Sequence, residues 1–361
     1  METKAINVKK LQVGIIGTGV ISSLHAEGYL ASDKAEIAAV CDVVEEKAKD
    51  RMKLWGAKKY YTDYHELLKN DEIDAVEILT PHHLHREMAI AVAEAGKHIS
   101  IQKPMALNPK ECDEMISAAK KAGVILNVTE NFLFYPPLVK MKELIDANEI
   151  GEPIIVRMES VNGASIGGWY RPVTEGEWKS AIQWRQNREK SGGGPIFDGG
   201  LHQLAVAKFL IGEVKDVEAQ IADFNTDAPA TIMWNYYEPK KYGSWDFATS
   251  KMRIRTKYFA IHETFEVIGE EGILWVTRCH GEMRYISPLI LYKDGKTTNY
   301  ESIESDWSSS FKNAVHHFIE CALGNEKPKF AGEDGKNIIQ FAMAIYKSAK
   351  ERKSIQLEEI T

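Results

Sequence analysis

Cysteine is scarce in this chain of 361 residues: Cys41, Cys112, Cys279 and Cys321 stand far apart, with no Cys-x-x-Cys pair. That spacing argues against a disulfide framework or a cysteine zinc site, and it fits a reducing cytoplasm. Long apolar runs are missing as well. None approaches the roughly 20 residues that cross a bilayer, and residues 1–10 lack the apolar stretch of a secretory signal. Basic charge is not in surplus, since 45 Lys and Arg face 52 Asp and Glu for a net charge of −7, and no basic stripe appears. Nucleic-acid binding, which draws on clustered cations, is therefore not expected. Internal repeats and low-complexity tracts are absent too. What is there is an ordinary globular composition, 44% hydrophobic and 27% charged. The length suits two domains, each large enough to bury a core of its own.

The first 130 residues alternate β-rich runs with helical patterns, the rhythm of a parallel sheet with helical crossovers. Strands are expected over 11–16, 37–41, 75–79, 98–101 and 124–128, and helices over 21–31, 44–55, 64–68, 85–95 and 110–122, the last two stopped by Gly96 and Gly123. After Asn131 the texture changes. A helix from Pro136-Pro137 to about Ala147 leads into runs at 153–160, 214–224, 230–237, 252–260, 264–268, 273–276 and 283–292, and two helices near 309–323 and 334–350 close the chain. The expected fold is α/β: a doubly wound dinucleotide-type domain over 1–129, and an α+β domain with a large, mostly antiparallel open sheet over 130–361.

The first strand runs into Gly17-Thr18-Gly19-Val20-Ile21-Ser22 and then at once into a helical pattern. In that context the first glycine permits a tight turn and the second lets the backbone approach a pyrophosphate. The helix amino end supplies N–H groups to the anion. Ser22 takes the third glycine's place. Asp42 ends the second strand 23 residues beyond Gly19, where a carboxylate would bind the ribose hydroxyls and repel a 2′-phosphate. No Arg lies within the next eight residues, so NAD is favoured and NADP is the alternative.

Three further positions carry chemistry. Lys103-Pro104 stands at the carboxyl end of a parallel strand, where open α/β sheets bind ligands. An ammonium there could polarise a substrate oxygen. Ser191-Gly192-Gly193-Gly194-Pro195 opens an apolar helix in which Asp198 and His202, four apart, would share one face; the pair also reads as an amino-terminal cap and a core histidine. His82, His83 and His85 lack a Cys or carboxylate at ligand spacing, so no metal site is assigned. Between 167 and 188, Trp169, Tyr170, Trp178 and Trp184 sit among Arg171, Arg185 and Arg188. Such aromatics suit the C–H faces of sugars and such cations their hydroxyls, and they also suit a pinned loop or a subunit contact.

Taken together, Gly17 to Ser22, Thr80-Pro81 through His85, Gly96-Lys97-His98 leading to Lys103-Pro104, and Gly192-Gly193-Gly194 to Asp198 and His202 resemble the Gfo/Idh/MocA oxidoreductase family. The resemblance runs over most of the chain. It implies a Rossmann domain joined to an α/β domain whose open sheet packs between subunits, hence a homodimer or homotetramer, and hydride transfer between NAD(P) and a CH–OH carbon of a sugar, sugar derivative or polyol. By the same resemblance Lys103, Asp198 and His202 are the catalytic residues. Gly17, Thr18, Gly19, Val20, Ile21, Asp42, Thr80, His82, His85, Gln102, Lys103, Trp184 and Arg185 face the cofactor. Substrate contacts fall to Lys103, Trp169, Tyr170, Arg185, Asp198 and His202. Gln102 departs from the family's usual Glu, so its amide would lend the Lys103 ammonium less support than a carboxylate. Two alternatives remain: a lyase or glycosidase that retains its NAD and oxidises the sugar transiently, and a nucleotide-sensing protein without chemistry.

Overall fold

The computed structural model describes residues 10–166, 176, 179, 182–281 and 286–361. The chain forms two compact units. The first comprises Met1–Met105, Glu111–Thr129 and Phe311–Gly335, and the second Ala106–Lys110, Glu130–Ser310 and Lys336–Thr361.

In the first unit six strands form one parallel sheet: β1 (Leu11–Ile16), β2 (Ala35–Cys41), β3 (Lys59–Tyr61), β4 (Ala75–Ile78), β5 (His98–Gln102) and β6 (Leu126–Thr129). Their order is β3-β2-β1-β4-β5-β6, so the winding reverses between β1 and β4. In such sheets ligands bind outside the carboxyl ends of the strands at that reversal. The helices α1 (Ser22–Leu30), α2 (Glu45–Trp55), α3 (Tyr64–Leu68), α4 (His85–Glu94) and α5 (Pro109–Ala122) lie between the strands in sequence. β4 is buried throughout, as strands covered on both faces are. The core under β1 and β2 gathers Val13, Ile15, Val40 and Tyr29, and Val315, Phe318 and Ile319 join it from the carboxyl end of the chain. β3 was not expected: three residues, Lys59-Tyr60-Tyr61, are too few to show a period.

The second unit is built on nine strands: β7 (Pro153–Ile166), β8 (Val214–Ile221), β9 (Ala230–Tyr236), β10 (Tyr242–Arg255), β11 (Ile261–Gly269), β12 (Gly272–Val276), β13 (Leu289–Lys293), β14 (Lys296–Asn299) and β15 (Ile355–Gln356). The order is β14-β13-β12-β11-β7-β10-β9-β8-β15. Every pair is antiparallel except β7 with β10. Its helices include α6 (Pro136–Asp146) and α7 (Leu201–Ile211); α8 (Ser308–Ala322), most of which belongs to the first unit, and α9 (Gly332–Glu351) lie between β14 and β15 in sequence. The sequence placed a strand only over 252–260, whereas β10 starts at Tyr242. Gly243, Trp245 and Phe247 alternate inward there against Ser244 and Asp246, and the glycine and serine had hidden that alternation. No helix among the described residues is long and apolar enough to cross a membrane.

Candidate active site

The first group of site residues gathers at the carboxyl ends of β1, β2, β4 and β5. Gly17 turns the chain out of β1 with φ +91°, and a Cβ there would meet the Leu79 carbonyl oxygen at 2.6 Å, so only glycine fits. A Cβ at Gly19 would meet no atom within 4 Å. That leaves open space at the amino end of α1, where an anion can approach bare backbone. Ser22, in the third glycine's place, closes the loop by donating from Oγ to the Gly19 carbonyl at 2.6 Å.

Asp42 is held ready at the end of β2. Its Oδ2 accepts from the Thr18 amide at 3.0 Å and the Thr18 hydroxyl at 2.8 Å, and its Oδ1 accepts from the Val44 amide at 3.0 Å. Thr18 is itself fully buried. Its amide and hydroxyl therefore serve to orient the Asp42 carboxylate. The loop, the open space before Gly19 and the oriented carboxylate together fit a dinucleotide.

His85 departs from its expected place in a cofactor wall. It has no exposed surface, and its two ring nitrogens lie 2.8 Å from the main-chain carbonyls of Pro104 and Thr80. It ties the turn after β5 to the turn after β4 from behind. Burial pushes its imidazole down to about 4, against the pull of the two carbonyls. His82, also buried, stands beside it with ring centres 5.8 Å apart. Lys103 follows β5 at partial exposure, joined to Pro104 by a cis peptide. Gln102 does not turn to the Lys103 ammonium: its Oε1 accepts from the Lys103 amide at 2.8 Å, and its Nε2 meets His25 Nε2 at 2.9 Å.

In the second unit His202 lies in the first turn of α7, 7% exposed. Its Nδ1 pairs with Glu130 Oε1, and its ring stacks on Phe132 with centres 4.2 Å apart and planes 5° from parallel. Glu130 also accepts from the Phe132 amide at 3.3 Å, which fixes its carboxylate under the imidazole. The neighbouring Gln203 donates to Glu263 at 2.8 Å, and Glu263 is paired with His280. Burial works to raise the Glu263 carboxyl, but His280 and then His202 hold it below the usual carboxylate range.

Asp198 does not share a helix face with His202, because α7 begins at Leu201 after Gly200. The preceding residues form turns in which the Phe197 and Asp198 amides both reach back to the Gly194 carbonyl. Asp198 Oδ2 instead accepts from Arg185 Nε at 2.7 Å, and the Arg185 guanidinium lies 4.3 Å from the Trp184 ring centre. These three expected site residues thus meet. Trp169, Tyr170, Arg171 and Trp178 lie outside the described residues. Glu130, the partner of His202, was missed. The signal was its place directly after β6, the kind of strand end that had singled out Lys103.

The oxidoreductase-family model described as an NAD-binding Rossmann fold matches residues 11–130, and the model for that family's C-terminal alpha/beta domain matches residues 142–357. The chain belongs to the Gfo/Idh/MocA oxidoreductase family. Among relatives, myo-inositol 2-dehydrogenase of Thermotoga maritima is 28% identical over 97% of this chain and 99% of its own length. The NAD+-dependent scyllo-inositol 2-dehydrogenase of Bacillus subtilis is 26% identical over 97% of each. A levoglucosan dehydrogenase solved with NADH and levoglucosan superposes with a TM-score of 0.82 at 21% identity, over 97% of this chain and all of that one, a likeness of fold. The Gfo/Idh/MocA chain described here is an NAD(P)-dependent dehydrogenase.

Proposed function

We propose that this dehydrogenase oxidises a secondary hydroxyl of a sugar, sugar derivative or cyclic polyol with NAD, and that Lys103, Asp198 and His202 are its catalytic residues. The observation that carries the reading is the buried Glu130–His202 pair under Phe132. With Nδ1 committed to Glu130, Nε2 is the nitrogen to receive a substrate proton, and the carboxylate stabilises the imidazolium that results. Lys103 stabilises the alkoxide that develops as the proton leaves. Asp198, oriented by Arg185, binds a neighbouring hydroxyl, with Trp169 and Tyr170 as further substrate contacts. The nicotinamide, when bound, takes the hydride from the carbon that becomes a carbonyl. Gly17 to Ile21 hold the pyrophosphate and Asp42 the ribose hydroxyls, so NAD is preferred over NADP.

The inositol dehydrogenases among the relatives support a polyhydroxylated ring as substrate. The test is a screen of inositols, aldoses, anhydrosugars and sugar acids for NADH released in step with product. On the substrate so found, Lys103→Met and His202→Ala lower kcat by about 10²- to 10⁴-fold, the scale of positioned acid–base groups. NAD binding, read by fluorescence titration, is retained in both. Near-normal turnover of both variants would overturn the assignment, and turnover without net NADH would point to transient oxidation.

A further inference from the structure

A buried chain of polar side chains runs from the amide of Lys103 into the sheet. The main-chain N–H of Lys103 can only donate, so the oxygen of the Gln102 amide must face it, at 2.8 Å. The Gln102 NH₂ is thereby turned to His25 Nε2, 2.9 Å away. A nitrogen that meets a donor must accept, so Nε2 carries no proton and the ring proton sits on Nδ1. His25 Nδ1 in turn lies 3.1 Å from Glu77 Oε1 on β4. The other Glu77 oxygen accepts from Tyr29 OH at 2.5 Å, one turn along α1 from His25. Burial and then Glu77 keep the Tyr29 hydroxyl protonated. His25, Tyr29 and Glu77 are essentially without exposed surface. The uncharged ring of Phe311 also lies against His25, edge-on at 5.2 Å. The Lys103 N–H thus fixes the Gln102 amide and the accepting role of His25 Nε2, while His25 Nδ1 and Glu77 Oε1 stand at ion-pair distance without hydrogen-bond geometry.

We propose that Gln102 and His25 are positioning residues for Lys103: a neutral, Nδ1-protonated His25 fixes the Gln102 amide, and that amide holds the Lys103 main chain in place. A second proton on His25 would set N–H against NH₂, turn the Gln102 amide over, and leave the Lys103 N–H without its acceptor. A carboxylate at 102 would behave differently. It accepts from the Lys103 N–H and from a protonated His25 alike, so the hold on Lys103 no longer depends on the state of His25. Gln102 therefore makes the placement of the lysine conditional on a neutral histidine on α1.

This inference rests on Lys103 being the catalytic lysine of the proposed reaction, and the experiment separates the two. Gln102→Leu removes the acceptor and is expected to lower kcat by about 10-fold to 100-fold, the cost of a misplaced catalytic group, with the KM for NAD little changed. Gln102→Glu restores the acceptor and is expected to recover most of that loss. In protein labelled with ¹⁵N-histidine, His25, assigned by its loss in His25→Gln, is expected to show one bare and one protonated ring nitrogen, and two protonated nitrogens in Gln102→Glu. If Lys103→Met is inactive while Gln102→Leu keeps the normal kcat, the inference fails and the catalytic role of Lys103 stands. A protonated His25 Nε2 in the unmodified protein at neutral pH also overturns it, whether or not the Leu variant folds. Full activity of Lys103→Met removes the reading beneath both.

Discussion

Glu130 and His85 each carry a consequence that a single substitution can expose. Glu130→Gln keeps the shape beneath His202 and removes the charge that would balance its imidazolium. Turnover is expected to fall about 10²-fold while the dissociation constant for NAD holds, as measured by steady-state kinetics beside fluorescence titration. An unchanged kcat would mean that Glu130 only packs. His85 bears on stability. Its folded imidazole is pushed from 6.5 down to about 4, so between those pH values the unfolded chain takes up a proton that the folded one refuses. The contribution is complete above about pH 6.5 and is lost as pH falls toward about 4. Urea unfolding at several pH values should show wild type losing its advantage over His85→Gln across that window, and a constant gap would refute the assignment.

At the scale of elements, the glycine-dense segment before α7 owes its course to one buried carboxylate. Asp227, fully buried, accepts from the Ile196 amide at 3.1 Å, from Tyr346 OH at 2.5 Å and from Arg188 Nη2 at 3.1 Å. The Gly194 amide donates to Tyr346 OH at 3.0 Å, and a Cβ at Gly194 would run into Asp227. Asp227→Ala is expected to cost about 2–3 kcal/mol, the scale for leaving buried partners unpaired. It should also raise KM for the sugar, because Asp198 hangs from the same segment. Chemical denaturation and kinetics read the two effects. None of this was legible in the sequence, since Asp227 lies 33 residues from Gly194 in a stretch without period. The parallel sheet was legible, because a buried strand such as β2 carries a continuous apolar run from Ile37 to Cys41, and so was the loop at Gly17, because its chemistry is local. Asp198 was placed on a helix that in fact starts at Leu201, since a four-residue spacing cannot show where a helix begins. Glu130 escaped because its partner is 72 residues away, and the line from Gln102 to His25 spans 77.

For the whole molecule, the nine-stranded sheet shows one face to solvent, and an apolar row crosses five of its strands. Tyr242, Ile155, Ile268, Ile273 and Tyr292 are register partners from β10 through β7, β11 and β12 to β13. Tyr242 is 54% and Tyr292 42% exposed. A row of that width suits a partner surface, and we propose a homo-oligomer formed through it. Light scattering after size exclusion should give a multiple of the 40.7 kDa chain mass, reduced by Ile273→Asp; a monomer in the unmodified protein would end that proposal. The nucleotide-binding unit has a different dependence, on the order of synthesis. Its core takes in Val315, Phe318 and Ile319 from the returning segment Phe311–Gly335. At translation rates of about 5–20 residues per second, those side chains leave the ribosome roughly 10–40 s after Thr129. Until then the nascent sheet has a bare flank, so the part of the chain made first is among the last to be finished.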